Sequence, residues 1–359
     1  MIPDIDDAAR DLLAWFDGCL RDLPWRRDTD PYRVWVSEVM LQQTRVETVI
    51  PRFERWLVRF PTVGALADAG VDDVLAEWEG LGYYSRARNL HAAARVVRDS
   101  LGGGIPDTAG GLRELPGVGE YTAGAVASIA FDRPEPAVDV NARRVLARLF
   151  DLPAPTTAAL RKRAAALIPA DRPGDFNQAL IELGATVCSA RAPRCLDCPL
   201  ESRCLARARG TIADCPGGAR RAAVPTFELG VAVVVSPRGR ALMVRRTENR
   251  MLGGMWEFPG RVVEHGELPG AAADRTAAVL APGAARARPL SAVSHAYSHR
   301  RHVYRAFLFE SRGEAVPDPG AVSAGGWTAA TWDRPDPAGR ALPAAQRRIA
   351  RELAALFPC

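Results

Sequence analysis

The chain has 359 residues, long enough for two domains with separate cores. Its 48% hydrophobic and 25% charged content is that of a globular chain, and no run of eighteen apolar residues exists to span a membrane. A net charge of +5 with a pI near 9.0 permits nucleic-acid binding without requiring it, and the acidic start Met1–Asp7 lacks the apolar core of an export signal, so a cytoplasmic location is expected.

In chain order, residues 6–22 read as an amphipathic helix with Leu12, Leu13, Trp15, Phe16, Cys19 and Leu20 near one face. Leu23-Pro24-Trp25-Arg26 breaks it. Asp30-Pro31, a cap followed by proline at the first helical position, starts a second helix running to about Gln43. Inside it, Glu38 is the single carboxylate of the apolar run Val34–Leu41. Burial would raise its pKa and keep it partly protonated near neutrality, as a general acid requires.

Further helical patterns cover 45–59 and 71–79. Gly80-Leu81-Gly82-Tyr83-Tyr84-Ser85-Arg86 is a glycine turn entering a basic, aromatic helix start, suited to base stacking and phosphate contact. A glycine loop at 102–106 then leads to Leu115-Pro116-Gly117-Val118-Gly119-Glu120-Tyr121-Thr122-Ala123-Gly124. Gly117 and Gly119 can both adopt positive φ, so consecutive N–H groups can form an anion-binding nest before a small-residue helix, 121–130. Asp139 should cap a helix over 142–150, which would lower its pKa and keep it ionised. One raised and one lowered carboxylate form the usual acid-plus-stabiliser pair for glycosidic cleavage.

The helix 175–187 ends at Cys188-x6-Cys195-x2-Cys198-x5-Cys204. Four thiolates in so short a loop satisfy either a tetrahedral zinc or an iron–sulfur cluster. The other three cysteines, Cys19, Cys215 and Cys359, are scattered, and a reducing compartment argues against a disulfide framework. Residues 207–225 read as a linker. Beyond it the strand-like runs 229–235 and 241–244 flank a hairpin signature, Tyr304–Phe309 is another strand, and a final helix covers 343–357. The expected organisation is an all-α domain over 1–206 with a cysteine loop at 188–204, the linker 207–225, and an α+β domain over 226–359.

These stretches resemble, in the same order, the MutY family of adenine DNA glycosylases in the endonuclease III superfamily: Leu23-Pro24-Trp25, Ser37–Thr44, Gly80–Leu90, the helix-hairpin-helix at 115–124, and the cysteine loop. Residues 226–359 resemble that family's Nudix-like recognition domain. The resemblance implies hydrolytic removal of adenine opposite 8-oxoguanine or guanine in double-stranded DNA by a monomeric enzyme. Glu38 would be the acid, Asp139 the stabiliser of the sugar cation, and Asn141 an assistant. Tyr121 stands where lyase-competent relatives carry lysine. Gln43, Tyr83, Arg86, Gly117 and Gly119 would bind DNA, Arg26 and Gln178 would contact the flipped adenine, and Tyr297, Ser298 and His299 would read the lesion. The four clustered cysteines would hold a [4Fe-4S] cluster.

Two departures stand out: Val140 where many members have glycine, and Tyr297 where phenylalanine is common. Competing readings are a bifunctional glycosylase/lyase, a non-catalytic DNA-binding protein and a Nudix hydrolase. Tyr121 argues against the first, and the Glu38–Asp139 pair against the second. Gly266–Leu280 is mostly alanine and leaves only Glu264 and Glu267 nearby to hold Mg²⁺, which argues against the third.

Overall fold

A computed structural model describes residues 5–19, 21–217, 224–337 and 339–357. Leu20, Cys359, the extreme N-terminus and positions 218–223 of the expected linker lie outside the described residues. The chain divides into two compact units, residues 1–68 with 89–220, and residues 69–88 with 221–359. No helix among the described residues is long and apolar enough to cross a membrane.

The first unit is helical. It contains α1 (Ile5–Cys19), α2 (Pro31–Leu41), α3 (Val46–Arg59), α4 (Val63–Asp68), most of α6 (Ser85–Ser100), α7 (Ala109–Arg113), α8 (Glu120–Phe131), α9 (Val140–Leu149), α10 (Thr157–Leu167), α11 (Pro173–Thr186) and α12 (Leu205–Arg209). The Asp30 side chain caps α2 by accepting from the Arg33 N–H at 2.9 Å, with Pro31 in the first turn. In α8, residues Thr122 to Ser128 are all buried. Their small side chains let α2, α7 and α11 pack closely around it. A core of Leu12, Phe16, Leu146, Phe176, Leu180 and Leu183 joins α1, α9 and α11.

The second unit holds α5 (Val71–Glu77), the first turn of α6, and the C-terminal domain. That domain contains β1 (Thr226–Val235), β2 (Ala241–Arg246), β3 (Trp256–Glu257), β4 (Gly260–Val262), α13 (Pro269–Leu280), β5 (Ala285–Pro289), β6 (Val293–Ala296), β7 (Arg301–Glu310), α14 (Pro319–Ala324), β8 (Trp327–Asp333) and α15 (Ala344–Leu356). The strand order is β3-β2-β1-β7-β5, with β4 off β1, β6 off β7 and β8 off β2. Central β1, parallel to β7, is buried on both faces. Leu229, Val231, Val233 and Val235 share a core with α15, while Ala232 and Val234 face α13. A continuous apolar run replaces alternation when both faces are covered.

Two boundaries differ from the sequence reading. Residues 207–217 pack with the first unit rather than acting as linker: Arg148 Nε donates to the carbonyls of Ile212 at 3.2 Å and Cys215 at 2.9 Å, and Arg209 pairs with Asp151 at 2.7 Å. Polar bonds supply their order, so apolar periodicity could not reveal it. Residues 69–88 group with the C-terminal domain through Arg245–Asp72 at 2.9 Å, Arg347–Glu79 at 2.7 Å and Arg88 Nη1 to the Gly253 carbonyl at 2.6 Å.

Candidate active site

Glu38 sits on α2 among buried Trp35, Val36, Val39 and Met40, itself only 7% exposed. Burial pushes its pKa up to about 7, with the Asp139 charge adding; the Tyr121 hydroxyl and the Arg26 charge pull the other way. Tyr121, in the first turn of α8, donates to Glu38 Oε2 at 2.6 Å. Burial raises the phenol well above its ordinary range, so it remains a neutral donor.

The turn that delivers Tyr121 depends on Gly117, whose φ is +76° and where a Cβ would stand 2.5 Å from Asn89 Cβ. Gly119 departs from expectation. It is extended, with φ −90° and ψ 178°, and caps α8 without a side-chain hydrogen bond. A Cβ there would meet nothing within 4 Å.

Asp139 caps α9, as its position suggested. Its Oδ1 accepts from the N–H groups of Asn141 at 2.9 Å and Ala142 at 2.7 Å, and Oδ2 accepts from Asn141 Nδ2 at 2.9 Å. The expected lowering of its pKa is overturned: burial outweighs these three bonds and the Arg144 charge, and the carboxyl is raised. The loop before it is seated by fully buried Asn177. That amide accepts from Ala137 N–H at 3.0 Å and donates to Ser128 Oγ and the Glu135 carbonyl, both at 2.8 Å. A Cβ on Gly124 would overlap the Pro136 carbonyl, so only glycine lets this loop rest on α8.

Arg26 and Gln178 are brought together: Arg26 Nε donates to Gln178 Oε1 at 3.2 Å. Sequence reasoning missed their third partner, Glu182. This buried carboxylate accepts from Arg26 Nη2 and Arg21 Nη2, each at 2.9 Å. A signal existed, because Gln178 and Glu182 lie four apart and so share one face of the helix. Arg144 was also missed. It donates to Asn141 Oδ1 at 2.9 Å and to the carbonyls of Gly184 at 2.6 Å and Cys188 at 2.7 Å, linking α9's catalytic-side end to the start of the cysteine loop.

Cys188, Cys195, Cys198 and Cys204 line one cavity together with Arg148, which donates to Cys188 Sγ at 3.3 Å. Burial, with the three neighbouring thiols adding, pushes the Cys198 thiol up to about 12, against a backbone hydrogen bond from Leu200. Among the described residues no three His, Cys, Asp or Glu side chains form a ready site for a metal ion. What the four cysteines share is the cavity.

Gln43 is exposed with φ +58°, a left-handed conformation uncommon outside glycine. In the second unit Tyr83 is likewise strained, at φ +46° and 41% exposed. Arg86, expected to bind DNA, turns inward. It is 9% exposed, its guanidinium donates to the carbonyls of Leu81 at 3.0 Å and Gly82 at 3.1 Å, and it lies 5.6 Å from the Tyr83 ring centroid. Its work is to hold the Tyr83 turn, and burial lowers its pKa to about 10. Tyr83, Tyr297, Ser298 and His299 line one cavity of about 420 Å³, within the range of small-ligand pockets. Glu264 and Glu267 both pair with Arg275, at 3.2 and 2.8 Å.

A helical domain with a glycine hairpin beside a buried acid, joined to a Nudix-like sheet, defines a base excision repair protein. Residues 36–170 match the HhH-GPD superfamily of base excision DNA repair proteins, and residues 230–352 match the NUDIX domain. The chain belongs to the adenine DNA glycosylase family. It is 38% identical over 377 residues to the adenine DNA glycosylase of Homo sapiens, covering 86% of this chain and 68% of that one. For the Mycolicibacterium smegmatis enzyme the identity is 46% over 204 residues, covering 56% and 69%. The Rattus norvegicus enzyme is 40% identical over 319 residues, and the match spans 73% of this chain but 62% of that relative, just under two thirds of its length. A thermostable thymine-DNA glycosylase superposes with a TM-score of 0.53 at 29% identity, covering 56% of this chain and 95% of its own. An endonuclease III–DNA covalent intermediate, at TM-score 0.50 and 24% identity, shares the fold.

Proposed function

We propose that this chain hydrolyses the N-glycosidic bond of adenine opposite 8-oxoguanine or guanine in double-stranded DNA, as a cytoplasmic monomer without lyase activity. The observation that carries the reading is Glu38. It is a buried carboxyl poised near pKa 7, bonded to a phenol and electrostatically coupled to a second carboxylate.

Adenine must leave the stack to be reached, and a mispair makes that extrusion easier. Protonated Glu38 gives its proton to the purine ring as the C1′–N bond breaks and the bonding electrons leave with the base. The positive charge left on the sugar faces Asp139, whose three hydrogen bonds all favour its ionised form. Water then adds to C1′ and releases a proton, which restores the one Glu38 gave up. Arg26, Gln178 and Glu182 present donors and acceptors for the flipped base. Tyr121 offers no amine to attack C1′, and the chain's single lysine, Lys162, lies on α10. Without a Schiff base no elimination follows.

DNA binding rests on the hairpin. The N–H groups of the first turn of α8 have no side-chain cap at Gly119, and the open space there suits a phosphate. Gln43 and Tyr83 enter the duplex from strained, exposed turns, and the cavity at Ser298–His299 receives the lesion base.

The cysteine loop would hold a [4Fe-4S] cluster. Four thiols around one cavity supply the four ligands such a cluster needs. With all four ligand positions taken by protein, the cluster would shape the loop and leave no position for substrate.

The test is excision from duplexes holding A opposite 8-oxoguanine, G, C or T, with and without alkali. Cleavage of the first two, visible only after alkali, is expected. Strand breaks without alkali would overturn the monofunctional reading, and equal rates on all four would overturn the mispair reading.

A further inference from the structure

The residues proposed to read the lesion, Ser298 and His299, form the tip of the β6–β7 hairpin. The strands pair from Val293↔Tyr304 to Ala296↔Arg301, and Tyr297 N–H closes the turn on the Arg300 carbonyl at 2.8 Å. Neither tip residue takes positive φ. The turn is therefore not one of the primed types whose twist matches that of the strands and fixes a hairpin by itself. Both tip side chains are exposed, and their bond to each other, Ser298 Oγ to His299 Nδ1 at 3.3 Å, does not anchor them to the sheet.

The anchor is the residue before them. The Tyr297 hydroxyl lies 2.9 Å from that of Tyr304, at the far end of the hairpin, and the Tyr304 hydroxyl lies 3.3 Å from His302 Nδ1. The Tyr297 ring is wedged edge-on between His295, at 4.5 Å between centroids, and His302, at 5.1 Å. Tyr304 and His302 are both buried. Burial first, then the charges of Arg300, Arg246 and the other histidines, lowers the His302 pKa to about 4, so the ring is neutral at physiological pH. A neutral imidazole with its proton on Nε2 accepts at Nδ1. In that tautomer Tyr304 O–H donates to His302 Nδ1 and Tyr297 O–H to Tyr304 Oη; with the proton on Nδ1 the chain runs in reverse, and the tie between Tyr297 and Tyr304 is the same.

We propose that Tyr297 is a positioning residue for lesion readout, its hydroxyl tying the Ser298–His299 tip to Tyr304 and so fixing the tip against the cavity it lines. The inference rests on the reading of that tip given above. A phenylalanine at 297 keeps the ring packing and loses the tie. The tie does not act on Glu38 or Asp139, so its removal falls on discrimination between opposite bases.

The experiment compares the full chain with Tyr297→Phe, Tyr304→Phe, the double variant, and Ser298→Ala/His299→Ala, measuring KM and kcat on duplexes with A opposite 8-oxoguanine and opposite G. Thermal melting of each confirms that it is folded. Losing one neutral hydrogen bond is expected to reduce the preference for 8-oxoguanine about three- to tenfold. The loss should fall on KM more than on kcat, and the double variant should lose no more than either single one. Undiminished preference in Tyr297→Phe, or additive losses in the double variant, would overturn the positioning role while leaving the tip's role intact. Undiminished preference in Ser298→Ala/His299→Ala would overturn the tip reading, and this inference with it.

Discussion

Replacing Glu38 with glutamine removes the transferable proton and keeps shape, burial and an acceptor for the Tyr121 hydroxyl. Loss of a general acid typically costs about two to four orders of magnitude in rate. Adenine is a poor leaving group until protonated, so the high end is expected, roughly 5 kcal/mol of barrier at about 1.36 kcal/mol per tenfold. Affinity for the duplex should survive, because the phosphate contacts proposed at the hairpin do not involve Glu38.

The same substitution has a second, opposite consequence. Burial raises the Glu38 pKa from 4.5 to about 7, so the folded protein binds this proton more tightly than the unfolded chain does. Stability from this group is therefore greatest below pH 4.5, declines as pH rises through the window up to about 7, and stays diminished above it. At about 1.36 kcal/mol per pKa unit, the ionised carboxylate costs up to roughly 3 kcal/mol at alkaline pH. Glutamine carries no such cost, so Glu38→Gln should melt higher than the parent above pH 7 while excising adenine far more slowly. The assays are single-turnover excision, duplex affinity and thermal melting at pH 5 and pH 8. Excision within about tenfold of the parent, a loss of only ~1.4 kcal/mol in barrier terms, would show that Glu38 is not the acid.

The parent's rate should fall as pH rises through about 7, where Glu38 loses its proton; a rate that stays flat from pH 6 to 9 would contradict this. Tyr121→Phe removes a hydrogen bond that lowers the Glu38 pKa, so the alkaline limb of that profile should move to higher pH, read from excision rates between pH 6 and 9. Gly117→Ala forces a Cβ against Asn89 at φ +76° and should cost more than 1 kcal/mol of stability as well as weakening duplex binding, measured by melting and titration. Anaerobically purified protein should contain about four iron and four sulfide per chain, lost together in Cys198→Ser; zinc without sulfide would refute the cluster.

Much of the site was legible because residue type and local environment coincide. Glu38 is one carboxylate in a buried apolar run, so its raised pKa follows from the same pattern that makes the helix. Tyr121 follows a turn whose Gly117 is required by geometry, and the four cysteines lie within seventeen consecutive residues and end up on one cavity. The short helices were less visible. α7 contains two glycines, and α10 depends on the Thr156 side chain accepting from Ala159 N–H at 3.1 Å, a single cap that a pattern of alanines and arginines does not advertise.

What could not be read locally is the balance between opposing long-range effects. Asp139 caps α9 as its position promised, yet its pKa moves up, because burial is set by how α8, α9 and α11 close around it. The cap alone says nothing about that closure. Arg86 shows the same limit: a basic residue after an aromatic pair suits phosphate, but packing turns this guanidinium inward onto the carbonyls of its own turn. The inward turn stabilises the loop that holds Tyr83 at φ +46°. Strain at Tyr83 has to be offset by neighbouring bonds, and Arg86 with Trp78, whose Nε1 donates to the Gly82 carbonyl at 3.0 Å, supplies them. A charge that looked like an element of DNA affinity is thus part of the support for the residue proposed to enter the helix, and Arg86→Met should loosen Tyr83 before it weakens any contact to phosphate.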